Sequence, residues 1–200
     1  MSTSEAARPR EAYHRGGLRR TLIAVAVELV AREGAEALSL REVARRAGVS
    51  HNAPYRHFPN RAALLAAVAA AGFEALAAKL ETVPEAALPA ARLQALGQAY
   101  VAFALENGAL YRLMFGGAVE PAADPALAAA GERAFALLRR TVAAIEPRAP
   151  LREATISAWA FVHGLAHLAL DRQLAGDLDR DRLVAIGTGI FGAGLTAAAL

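Results

Sequence analysis

An all-α chain with a basic N-terminal head and a neutral helical body is what the 200 residues predict, on three observations. Alanine is abundant and no stretch alternates β-branched residues, so no strand is required. Glycine, proline and capping residues recur at helix-length intervals. Charge is uneven: up to residue 62 eleven arginines stand against six acidic residues, and beyond it eleven basic residues face thirteen acidic ones. Lys79 is the sole lysine, so arginine carries nearly all the positive charge.

At 56% hydrophobic and 20% charged the chain has enough apolar mass to fold around a core, which excludes a disordered protein. With no cysteine there is no disulfide framework, no thiolate metal site and no cysteine nucleophile. Residues 1–17, with Arg8, Arg10, His14 and Arg15, lack the apolar run of a secretory signal and are expected to form a mobile basic tail on a cytoplasmic protein.

The head is expected over residues 18–62. Leu18, Leu22, Val25 and Leu29 recur at helical spacing, and Gly34 supplies the residue that stops this first helix. Ser39 precedes a second helix. Its hydroxyl can accept the Glu42 N–H while the Glu42 carboxylate reaches back, the reciprocal pattern of a capping box. Leu40, Val43, Ala44 and Ala47 give this helix an apolar stripe and leave Arg41, Arg45 and Arg46 on the other side. Ala47-Gly48-Val49-Ser50 then turns the chain steeply, so a helix-turn-helix is expected, with a third helix over His51–His57. Pro54 lacks an N–H and fits only a first turn, which moves the regular start of that helix toward Ala53. Asn60 is expected to cap a fourth helix that begins at Arg61.

Such a unit lays a short helix in the major groove, where base edges show a full donor and acceptor code. His51, Asn52 and Arg56 suit base edges; Ser39, Arg41, Ser50, Tyr55, His57 and Arg61 suit the phosphates or the turn that presents them. The bland alternative is a solvated basic face on a structural trihelix.

From residue 60 onward the chain breaks into expected helices at 60–82, 89–106, 109–116, 124–145, 151–175 and 180–198, an antiparallel bundle. From Leu183 to Leu200 no residue is charged, and Gly187, Gly189, Gly192 and Gly194 suit close approach of a neighbouring backbone. Helices 151–175 and 180–198 are therefore the expected seam of a homodimer; a C-terminal membrane anchor is the rival, and its flanking basic cluster and aromatic belt are missing. Tyr100, Phe103, Tyr111, Met114, Phe115, Phe135 and Trp159 supply bulk among alanines and either fill the core or wall a cavity, with His163 and His167 as polar handles. His163, His167 and Asp171 lie four apart on one helix face, a spacing open to a metal as well as to hydrogen-bonded core histidines. No phosphate loop or metalloprotease motif is present, so neither an enzyme nor a cofactor is expected.

The run Ser39-Leu40-Arg41-Glu42-Val43-Ala44-Arg45-Arg46-Ala47-Gly48-Val49-Ser50, then Pro54-Tyr55-Arg56-His57-Phe58, Arg61 and Leu64-Leu65, closely resembles the DNA-binding domain of the TetR family of bacterial transcription regulators. Trp159-Ala160-Phe161-Val162-His163-Gly164 is similar to the signature of one subgroup's C-terminal domain. The family commonly has Gly-Thr-Leu where this chain has Asn52-Ala53-Pro54, and lysine where it has Arg61. The resemblance implies a homodimer that binds a palindromic operator, usually to repress, and a body over 63–200 that takes a small apolar or aromatic effector. Two other classes remain: a DNA binder without ligand control, and a helical metal-binding sensor or enzyme.

Overall fold

The computed structural model describes residues 8–85, 88–120, 124–174 and 179–196. Every regular element among them is helical: α1 (Arg8–Glu33), α2 (Leu40–Arg46), α3 (Arg61–Glu81), α4 (Pro89–Glu106), α5 (Gly108–Phe115), α6 (Pro125–Ala143), α7 (Leu151–Leu170) and α8 (Arg180–Thr196). Single 3-10 turns sit at Ala35–Ala37 and Pro54–Arg56. The helix α1 opens at Arg8, inside the segment expected to be a tail, and residues 1–7 lie outside the described ones. So does the end of the last expected helix, 197–198.

Two compact units result, residues 1–71 with 109–127 and residues 72–108 with 128–200. In the first, α1 buries Leu22, Ala26, Leu29 and Val30, while Leu18 and Val25 of the expected stripe are half-buried. Leu38, Leu40, Val43, Phe58 and Leu64 add to this unit's buried set, as do Leu110, Tyr111, Leu113 and Met114 of α5. Each corner has its own stop signal. Gly34 leaves α1 at φ +83, and Gly48 leaves α2 at φ +66, conformations that cost a residue with a side chain about 1–2 kcal/mol.

In the second unit α4 packs against α7 and α8. Gly97 makes this close: a Cβ there would lie 3.1 Å from Val184, and 3.2 Å from both Thr188 and Val162. One end of the core joins Leu93, Val142, Ala154, Ala158 and Leu195, with Leu138, Ile145 and Phe191 against them. The buried hydroxyls are satisfied within their own helices, Thr141 donating to Leu137 O, Thr155 to Leu151 O and Thr188 to Val184 O. The helix α7 ends at Leu170, short of the expected 175, because Arg172 turns left-handed at φ 55. Its N–H closes onto Ala169 O and that of Gln173 onto Leu168 O, a Schellman stop without glycine.

Among the described residues α3 alone is long and apolar enough to cross a membrane by length and composition. Its Leu64–Ala69 run and Leu76, Ala77 and Leu80 are buried inside the protein, as a core helix requires. The end of the segment where the sequence left an anchor open, residues 197–200, lies outside the described residues.

Among the described residues Gly187 alone of the α8 glycines meets a neighbour: a Cβ there would run into the Phe161 ring, whereas no atom lies within 4 Å of a Cβ at Gly189, Gly192 or Gly194. Gly187→Ala should therefore cost about 1–3 kcal/mol by overpacking, despite the better helix former. Gly131→Ala in α6, where nothing lies within 4 Å, should instead gain up to about 1 kcal/mol. Denaturant midpoints of the two variants check the pair; equal shifts would show that Phe161 yields freely.

Candidate nucleic-acid interface

The interface builds from the N-terminus of α2. Ser39 is extended at φ −140, ψ 153, and its Oγ accepts the Glu42 N–H at 3.1 Å. The return half of the expected box is not made. Glu42 instead points along its helix: Oε2 accepts from Arg45 Nε at 2.8 Å, and Oε1 accepts from Arg46 Nε at 2.6 Å. Two guanidiniums one turn away outcompete a neutral backbone donor. Arg46 also donates to Glu33, which ties α2 to α1. These bonds, Arg45's first and then Arg46's, hold the Glu42 carboxyl down to about 2.

Arg45 and Arg46 are thereby committed within the chain. Arg41 and Arg56 are exposed and have no ion-pair partner among the described residues. Arg19 places its guanidinium 5.3 Å above the Phe58 ring.

A Schellman stop ends α2, Gly48 N–H on Arg45 O and Val49 N–H on Ala44 O. The third helix expected over His51–His57 does not form. Residues 51–53 make a turn and only Pro54–Arg56 is helical, as one 3-10 turn. Pro54 has no N–H to close an α-helical bond back to Ser50, so Ser50 O takes the Ala53 N–H at 2.9 Å instead. Ser50 thus contributes its carbonyl rather than a capping hydroxyl. Pro54 O then accepts from both His57 and Phe58 at 2.9 Å. Pro54 and Phe58 are buried, His57 is half-buried, and His51, Asn52, Tyr55 and Arg56 stand in solvent with Ser39, Arg41 and Ser50. Asn60 caps α3 as expected, its Oδ1 accepting the Ala63 N–H at 2.9 Å.

Arg61, although exposed, commits two of its donors to the chain's own backbone, a placement the sequence does not suggest. Its Nε donates to Leu38 O at 2.8 Å and its Nη2 to Ala35 O at 2.6 Å.

The second unit gathers most of the aromatic and histidine side chains expected to fill a core or wall a cavity. Tyr100 OH accepts from Trp159 Nε1 at 3.3 Å and lies 2.9 Å from His163 Nδ1. Indole N–H only donates, so the phenol oxygen is the acceptor of the first bond, while the bond to His163 runs in the direction that the imidazole tautomer sets. Burial, and then repulsion from His167, lower the His163 imidazole from its ordinary value and favour its neutral form. Phe135 packs edge-on to Trp159 at 6.3 Å, and the His163 and His167 rings lie 4.6 Å apart. Phe103 is buried in the same unit. Tyr111, Met114 and Phe115 belong to the first unit, where Tyr111 and Met114 are buried and the Tyr111 and Phe115 rings meet at 4.8 Å. Asp171 caps the end of α7 in solvent, and among the described residues no three metal-ligating side chains converge. The metal reading of His163, His167 and Asp171 therefore has no geometric support.

A capped helix, a glycine turn and an exposed polar segment in a basic head, joined to a helical body, define a helix-turn-helix transcription regulator that binds DNA. The chain belongs to the TetR family: "Bacterial regulatory proteins, tetR family" matches residues 22–68, and "Tetracyclin repressor-like, C-terminal domain" matches 93–189. A Rhodococcus sp. RHA1 protein of unknown function is similar over 96% of this chain and 100% of its own, at 38% identity and TM-score 0.80. The putative regulatory protein SCO4313 is similar over 92% and 98%, at 26% identity and TM-score 0.71. FadR from Bacillus subtilis, solved in complex with stearoyl-CoA, shares the fold at 15% identity and TM-score 0.69, over 88% of this chain and 98% of its own. Among curated proteins none matches.

The Glu42 pairing has a pH signature. Its carboxyl sits at about 2 when folded against an ordinary 4.5, so the contribution is complete above pH 4.5 and is lost as pH falls toward 2. Thermal midpoints of wild type and Glu42→Gln should differ above that window and converge within it. A constant gap would assign the acid sensitivity elsewhere.

Proposed function

We propose that the protein is a dimeric, cytoplasmic repressor that holds a palindromic operator and releases it when a small apolar or aromatic effector enters the body. One observation carries the DNA half: His51, Asn52, Tyr55 and Arg56 are exposed on a segment pinned by buried Pro54 and Phe58. His51, Asn52 and Arg56 are assigned to base edges. Arg41, Tyr55, His57, Ser50 and Ser39 are assigned to the backbone; the Ser39 oxygen accepts from Glu42 and keeps its own proton to donate to a phosphate.

Dimerisation through residues 151–175 and 180–198 is supported by unburied apolar side chains on both helices. Ile156 and Leu168 of α7 are 38% and 41% exposed, and Ile186 and Ile190 of α8 are 49% and 70% exposed. Gly164, Gly189 and Gly194 face open space beside them in sequence, which leaves room for a second backbone. Two heads on a twofold axis read two half-sites about one helical turn apart.

Tyr100, Phe103, Phe135, Trp159, His163 and His167 are the proposed effector contacts, aromatic surface with few polar handles. The stearoyl-CoA bound to FadR is in keeping with an apolar effector for this fold. To reverse operator occupancy from 99:1 to 1:99, the effector must favour the released conformation by about 5.5 kcal/mol.

Selection of bound duplexes from a random library should return a palindrome. On it Arg41→Ala should weaken binding across sequences and reduce the salt slope by about 1, while Arg56→Ala should relax one base position at a cost of about 1–3 kcal/mol. No salt-sensitive retention of any duplex would overturn the reading. Separately, Ile190→Glu should yield a folded monomer in light scattering, and a dimer of unchanged strength would move the seam elsewhere.

A further inference from the structure

We infer that Arg61 is a positioning residue that fixes the N-terminus of α2 for DNA, acting as a two-pronged clamp on the α1–α2 connection rather than as a phosphate contact. This inference rests on the proposed DNA-binding function. Apart from Arg61, the connection is held by the bond from Leu38 N–H to Ala35 O at 3.2 Å and by the burial of Leu38. Between Gly34, at φ +83, and the Ser39 cap lie the residues 35–38, of which Leu38 alone is buried. The intervening 3-10 turn Ala35–Ala37 has no side-chain cap and buries none of its residues.

Across this stretch Arg61 Nε takes Leu38 O at 2.8 Å and Nη2 takes Ala35 O at 2.6 Å. The two bonds bracket the turn at both ends and come from the first residue of α3, whose backbone is itself set by the Asn60 cap at 2.9 Å. Leu38 is the residue before Ser39, so the clamp fixes the carbonyl that enters the α2 cap. Glu36 contributes little: its carboxylate is 4.0 Å from Arg61 and fully exposed. The work is done by neutral carbonyls, which a guanidinium spans with two fixed donors and a lysine, a single point charge, does not.

Charge and fork are separable by substitution. A phosphate contact needs the charge, so Arg61→Lys should keep most of the affinity and Arg61→Ala should lower the salt slope by nearly one unit. The clamp needs the fork. Both variants of the full chain should then lose about tenfold in affinity per folded molecule, with the salt slope unchanged. The probe is the duplex selected by the wild-type protein, with folded fraction measured by circular dichroism.

Hydrogen exchange without DNA supplies a second readout. The Glu42 and Val43 amides, which bond Ser39, should exchange faster in Arg61→Lys while those of α6 do not change. Wild-type affinity in Arg61→Lys, a reduced slope in Arg61→Ala, or unaltered exchange at Glu42 and Val43 would each overturn the clamp. If selection returns no duplex, the DNA-binding reading fails, and the exchange result still decides whether Arg61 orders the α2 cap.

Discussion

Burial of Pro54 and Phe58 is the constraint on which the head depends. The segment between Gly48 and Asn60 carries no regular α-helix, so its shape comes from two apolar side chains driven inward and from the carbonyls of Ser50 and Pro54, which close the turns. With Pro54 and Phe58 inside, Tyr55 and Arg56 between them are left in solvent. A polar segment this short has no helical cooperativity of its own. Its geometry is borrowed from the core below it.

Much of the head is legible in the sequence because it rests on local chemistry. Ser39 and Asn60 cap helices through their own side chains, and Gly48 takes a conformation that few other residues accept. Helix bounds from α3 onward fall close to those set by proline and glycine punctuation, with Arg172 as the exception: nothing in arginine announces a left-handed turn. The differences at Glu42 and Arg61 have a common source. Their destinations are decided by competition between partners, one group choosing guanidiniums over a backbone N–H, the other choosing carbonyls more than twenty residues away in sequence. Spacing along the chain does not encode such choices. Likewise, helical periodicity does not separate Tyr111, Met114 and Phe115 from the aromatics of the second unit.

The body solves a different problem. Alanine-rich helices approach closely, as at Gly97, and bury little area per residue, so a few large side chains decide where the packing is specific. Trp159, Tyr100 and His163 form one hydrogen-bonded chain at such a place.

The exposed cations of the head, Arg41 and Arg56 among them, are all guanidiniums, and no lysine occurs before Lys79. Acylation of side-chain amines, the ordinary covalent route for erasing positive charge, consequently has no target there. The guanidinium share of the head's attraction for polyanions also stays constant over the range in which proteins fold, because guanidinium does not titrate within it.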